Sequence, residues 1–122
     1  MATAAFDIRD GSGSAVPVDL LENGLAKILD MAREPDSVQF KSLSVITDEI
    51  TAVDTGTVIR TRTLCGLMNG RNGFGGMTGF VGFSVSNSSD SPDKYHVYSQ
   101  QSPGLDGMMF EVSGCIKELS GR

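Results

Sequence analysis

The sequence has no apolar run that approaches the roughly 20 residues of a membrane-spanning helix. It also has no basic cluster, because its 10 Lys and Arg residues are scattered among 15 Asp and Glu residues, and the net charge is -5. An acidic chain repels phosphate groups, so nucleic acid and anionic membranes are poor partners. We therefore expect no nucleic-acid partner and no transmembrane segment.

Residues suited to catalysis or metal binding are equally scarce. His96 is the sole histidine, and Cys65 and Cys115 are far apart, so closely spaced zinc ligands are missing. A nucleophile and its base would have to use His96, which falls within a predicted strand. We therefore assign no catalytic residue, no metal and no cofactor. A small envelope hydrolase that uses His96 with a loop acid or serine is kept as an alternative.

The length of 122 residues is that of one domain. Residues 1–16 contain the small, flexible run DGSGSAV and lack the basic and apolar regions of a signal peptide. Two interpretations stay open: a cytoplasmic protein, or an exported domain in its mature form. On this basis residues 1–16 are interpreted as a flexible lead-in and residues 17–122 as a single domain.

Hydrophobic periodicity predicts the elements of that domain. Apolar residues recur at helical spacing from 18 to 32, and Pro35 ends this helix. Asp19 with Glu22 forms a capping-box pattern, although Pro17 could be the first helical residue instead. After Asp36, either a helical turn to Phe40 precedes a strand at 43–47, or one bulged strand begins at Ser37. We prefer the turn.

The second half of the chain has mainly strand patterns. Residues 57–69 are rich in β-branched side chains, and residues 77–85 and 94–100 alternate in hydrophobicity, which predicts an antiparallel meander. The segments 48–56 and 87–93 have loop-like compositions. Residues 109–119 return to helical spacing. The predicted fold class is α+β: an N-terminal helix, a three- to four-stranded antiparallel meander and a C-terminal helix.

Glycines are concentrated in residues 65–83, CGLMNGRNGFGGMTGFVGF. A dinucleotide-binding loop would need a third glycine where Thr78 stands, and a P-loop would need a Gly-Lys pair that is missing. Asn69-Gly70 and Asn72-Gly73 are instead favoured pairs for tight turns between strands. The stretch is therefore predicted to be a hairpin whose spare glycines permit close backbone approach.

The two cysteines are compatible with one disulfide or with two buried thiols. The text REPDSVQFKSL followed by TLCGLMNGRNGFGGMTGFVGF resembles an uncharacterised family of short exported and lipoprotein-like proteobacterial proteins. Arg71 and Met77 depart from the Lys and Tyr that are usual there. The resemblance implies export and a Cys65–Cys115 bridge, and it carries no established activity. The matching positions are Pro35, Asp36, Ser37, Phe40, Cys65, Gly66, Asn69, Asn72, Phe74, Gly75, Gly76, Gly79, Phe83 and Cys115.

These features together favour a non-catalytic, exported bacterial interaction module, periplasmic or secreted, that binds another protein. Arg60 and Arg62 lie two apart on one predicted strand face and can meet an acidic partner. A subunit of an envelope or secretion assembly is the other non-catalytic alternative. The candidate binding residues are Asn69, Arg71, Asn72, Phe74, Arg60 and Arg62.

Overall fold

A computed structural model describes residues 6–32, 35–69, 79–100 and 105–120. Its main element is a five-stranded mixed sheet, curled into a half-barrel, with the strands in sequence order. The first pair is parallel and the other three are antiparallel. None of the described helices is long and apolar enough to cross a membrane. The elements are β1 (Asp7–Ile8), α1 (Val18–Met31), β2 (Gln39–Thr51), β3 (Val58–Asn69), β4 (Val81–Ser88), β5 (Ser91–Ser99), α2 (Leu105–Val112) and α3 (Cys115–Ser120).

The predicted fold class is wrong, although α1 lies where helical spacing placed it. The structure is mostly β: β1 adds a parallel fifth strand, and the single C-terminal helix is replaced by the short helices α2 and α3. Gly114 separates these helices with a φ of 88°, a conformation that a continuing helix does not allow. The meander therefore belongs to a larger, mixed sheet.

The strand β2 is much longer than the predicted segment 43–47. A single 3₁₀ turn, Pro35–Ser37, precedes it, and a bulge between Lys41 and Ser44 interrupts its pairing with β3. The bulge changes the phase of alternation, so Phe40 and Leu43 are both buried. The polar segment that was predicted to be a connection continues the strand to Thr51. Its acidic side chains are tolerated because they face solvent.

The main core lies between α1 and one face of the sheet. Leu20, Leu25 and Ile28 of α1 are fully buried in one cluster with Leu64 and Phe83 of the sheet. This burial follows the apolar stripe of the helix, which explains why its position was predictable.

Two glycines of the glycine-rich stretch permit close packing on opposite faces of the sheet. A Cβ on Gly66 would lie 2.5 Å from Leu43 Cδ2, and one on Gly82 would lie 2.6 Å from Phe110 Cζ. Neither distance is possible for a real Cβ, so a side chain at either position would displace its neighbour. Residues 70–78, which include the predicted tight turns, lie outside the described residues.

The short helices α2 and α3 cover part of the second face. The predicted disulfide is confirmed: Cys65 of β3 is bonded to Cys115 of α3, with their Cα atoms 5.3 Å apart. Both cysteines and Phe110 are buried in a small cluster, against which Tyr98 packs. Among the described side chains, the disulfide and Phe110 hold the C-terminal helices on the sheet.

The residues assigned to the lead-in contact the near end of β2. The Asp10 carboxylate accepts a hydrogen bond from the Ser42 amide at 2.8 Å. Ser12 Oγ accepts one from the Leu43 amide at 2.9 Å. Gly13 and Val16 are buried. Residues 6–16 therefore supply an edge strand and close the backbone around the β2 bulge.

Candidate functional site

The face of the sheet opposite α1 carries rows of small polar side chains. Antiparallel register aligns these residues across neighbouring strands, and the alternation of each strand places them on one face. The row nearest the disulfide lies under α2 and α3, whereas the next two rows are left largely open. The rows are Ser44, Cys65, Ser84 and Tyr98; then Ile46, Thr63, Ser86 and His96; then Asp48, Thr61 and Ser88.

The open rows form the floor of a groove of about 500 Å³, which we call the hydroxyl groove. Met109 and Ser113 of the C-terminal helical region form a wall beside the covered row. Ile50 lies near the turn that joins β2 to β3, and 58% of its surface is exposed. The groove thus combines neutral hydrogen-bonding groups with an apolar rim. Its lining residues are Asp48, Ile50, Thr61, Thr63, Ser86, Asn87, Ser88, His96, Tyr98, Met109 and Ser113.

His96 lines the groove from β5, and its side chain is exposed. Among the described residues, no Ser, Asp or Glu side chain forms a hydrogen bond with it. A hydrolase would need such contact between the base and a nucleophile or an orienting acid. In the described part of the chain, His96 is therefore one more polar group of the groove, without a hydrogen-bonded nucleophile or acid beside it.

The covered row contains two unsatisfied hydroxyls. Within the described part of the chain, Ser44 Oγ and Ser84 Oγ are buried and have no hydrogen-bond partner. These serines lie on either side of Cys65 in neighbouring strands. The cover formed by α2 and α3 consequently removes polar groups from water without replacing their hydrogen bonds, which costs free energy.

Arg62 lies on the face that packs against α1, where it forms a bidentate ion pair with Asp19. Its Nη1 and Nη2 donate to Asp19 Oδ1 at 3.0 Å and Oδ2 at 2.6 Å. Hydrogen bonding from Arg62 is the main reason that the pKa of Asp19 is lowered to about 2. Tyr95 Oη donates to the same carboxylate at 3.2 Å. The predicted helix cap at Asp19 is thus replaced by a tertiary contact.

Asn87 joins this network to the segment of β5 between Ser91 and His96, where the pairing with β4 is irregular. Its Oδ1 accepts from Arg62 Nη2 at 2.6 Å, and its Nδ2 donates to the carbonyl oxygens of Pro92 and Lys94 at 3.1 and 2.9 Å. One side chain therefore replaces strand pairing where the register of β4 and β5 shifts. The residues 87–93, predicted to be a loop, belong mainly to these strands.

Of the predicted binding residues that the structure describes, Arg60 and Arg62 share one face of β3, and Asn69 lies apart from them. Arg62 is held by Asp19 and Asn87, and Arg60 Nε donates to Glu49 Oε2 at 2.6 Å. Asn69 lies at the other end of β3 from Arg60, roughly 30 Å away at strand spacing. Arg71, Asn72 and Phe74 lie outside the described residues.

The sequence contained a partial signal for the groove. Thr61 and Thr63 share a strand face with Cys65, and Ser84, Ser86 and Ser88 alternate in the same way. Alternation alone does not tell which face lies under helices and which is open. No family model, curated protein or solved structure matches the chain.

Proposed function

We propose that the protein is an exported, non-catalytic module that binds another protein, and that the hydroxyl groove is its binding surface. The observation that carries this proposal is the groove itself, which is open and lies beside a covered row of the same sheet face. Concave sites with apolar walls and a few polar groups are the usual places for ligands.

The chemistry of the lining supports binding of a neutral or basic chain. Thr61, Thr63, Ser86 and Ser88 offer hydroxyls that both donate and accept hydrogen bonds. Asp48 contributes the groove's carboxylate. At the rim and on the nearby helix surface, Met108, Met109 and Ile50 are exposed, with exposed fractions of 60%, 36% and 58%. Surfaces that contact another protein combine exposed apolar groups with groups that form hydrogen bonds.

Export is supported by the Cys65–Cys115 disulfide, since such bonds persist in oxidising compartments. The test is the intact mass of protein isolated from its native cells, measured with and without reduction and alkylation. We expect alkylation of both cysteines only after reduction. Two thiols that are alkylated without reduction would contradict export.

The binding surface is tested by filling the groove. Ser86→Phe places a ring on the open floor, and Ser14→Phe makes the same change on the exposed N-terminal segment. The wild-type protein and both variants are immobilised, crosslinked to envelope extract and compared by quantitative mass spectrometry. We expect a protein that is captured by the wild type and by Ser14→Phe but is lost with Ser86→Phe. Equal capture by all three folded proteins would contradict the proposed surface.

A further inference from the structure

The outer edge of β2 is closed at one end and open at the other. Strand β1 pairs only with Gln39 and Phe40. The side chains of Asp10 and Ser12 then satisfy the amides of Ser42 and Leu43. Beyond that point, within the described part of the chain, residues 44–51 have no pairing strand on the side away from β3. We call this stretch the open edge.

The opposite edge of the sheet, β5, carries features that discourage strand pairing. Pro92 lacks an amide donor, Lys94 places a charge on the strand, and the bulge held by Asn87 distorts the backbone. Proline, lysine and bulges are common means of protecting edge strands. The open edge of β2 has no proline or lysine between residues 44 and 51, and the bulge of β2 lies before it.

The side chains of the open edge are acidic and partly apolar. Glu49 is paired with Arg60. Asp48 lines the hydroxyl groove, and none of the described cationic side chains forms an ion pair with it. Ile50, two residues on, lies on the same face and is exposed. An added strand would thus meet one free carboxylate and, in the next row, one apolar side chain.

We propose that the open edge accepts an extended, positively charged segment of the partner protein as a sixth strand. This proposal rests on the proposed function and specifies the chemistry of the partner. Backbone hydrogen bonds to residues 44–51 provide the affinity, as in other cases of strand addition. A Lys or Arg beside Asp48 and an apolar residue beside Ile50 provide the selectivity, because directly opposed side chains lie about 5 Å apart.

A second copy of this chain fits the same edge poorly. Antiparallel pairing of two copies centred on Asp48 would place the two Asp48 carboxylates directly opposite each other, and like charges in that position are destabilising. The net charge of -5 on each copy adds repulsion at low ionic strength. Charge complementarity therefore favours a cationic partner segment over self-association.

The test uses three synthetic peptides as long as the open edge, each acetylated and amidated. The first peptide has Thr at every second position and either Lys or Val at each position between. The second has Glu in place of each Lys. The third is the first peptide with every second backbone nitrogen methylated. Binding is measured by fluorescence anisotropy at low salt, and protection of the amides of residues 44–51 by hydrogen exchange. The third peptide keeps the charge but cannot form a complete strand ladder.

We expect the cationic peptide to bind and to protect these amides, methylation to weaken binding by about ten-fold or more, and the acidic peptide not to bind. Asp48→Asn should weaken binding by about two- to five-fold. Equal binding of the methylated peptide without protection would overturn strand addition and leave the groove as the site. If no peptide binds while Ser86→Phe still abolishes partner capture, the strand proposal fails and the proposed function stands. Protection without peptide that rises with protein concentration would identify a second copy as the occupant and overturn the proposal.

Discussion

Removal of the Cys65–Cys115 disulfide should both destabilise the protein and release its C-terminal helices. The two cysteines are separated by 50 residues in the sequence. Closing a loop of that length stabilises the folded state by about 4 kcal/mol in the chain-entropy model. We therefore expect Cys65→Ala with Cys115→Ala to lower the free energy of unfolding by roughly this amount.

The helices should open before the rest of the molecule does. The helix α2 has 8 residues and α3 has 6. Isolated helices shorter than about 12–15 residues are marginal in water. Among the described side chains of α2, Phe110 is fully buried. The unsatisfied Ser44 and Ser84 hydroxyls beneath them oppose closure by about 1–3 kcal/mol each. Without the disulfide, the remaining contacts of α2 and α3 are expected to be too weak to offset this cost, so the helices should open.

Urea unfolding followed by circular dichroism measures the global effect, and amide hydrogen exchange measures the local one. In the double variant, the amides of α2 and α3 should exchange much faster than those of β3 and β4. Chemical reduction of the wild-type protein serves as the matched control and should give the same pattern. A loss of less than about 1 kcal/mol in the free energy of unfolding, with the amides of α2 and α3 still protected, would show that the disulfide does not hold these helices on the sheet. Because Met109 and Ser113 line the hydroxyl groove, partner binding in the groove should also weaken when the helices open.

Three further perturbations test particular contacts. Asp19→Asn should lower the free energy of unfolding at neutral pH by about 1 kcal/mol, since the ion pair is half-exposed. The difference in stability between wild type and variant should disappear as the pH drops from about 4 through the folded pKa of about 2. A difference that stays constant across an acid titration of stability would argue against the ion pair. Gly82→Ala should lower the free energy of unfolding by about 1–3 kcal/mol, because the added methyl group displaces Phe110. Gly79→Ala is the control: its added Cβ has no neighbour within 4 Å, so the midpoint of thermal unfolding should not change. Asn87→Ala should lower the free energy of unfolding by about 1–3 kcal/mol, because it removes the three hydrogen bonds made by this buried side chain. An unchanged midpoint in urea would show that the irregular pairing of β5 does not depend on Asn87.

Local patterns predicted some elements well. The apolar stripe of α1 and the β-branched run of β3 are complete within short windows, so their positions could be predicted without tertiary information. The long polar end of β2 was not predicted, because Asp48 and Glu49 are typical of loops. Only the structure shows that they lie exposed on a strand paired with β3. The strand β1 was missed because two residues carry no periodicity, and parallel pairing with β2 joins distant segments.

The candidate site shows the same division. The sequence offered Arg62 as a binding residue, but Asp19, which is 43 residues away along the chain, takes its guanidinium into a structural network. The hydroxyls of Thr63 and Ser86 look like ordinary strand residues until the register places them side by side.

Residue types at short spacing were enough to predict the amphipathic helix and the alternation of the strands, and composition was enough to show two cysteines able to pair. Tertiary structure alone decided which sheet face carries α1, which rows lie beneath α2 and α3, and where the groove and the open edge remain. These outcomes depend on strand register and on the packing of layers, which bring together residues with no local relationship.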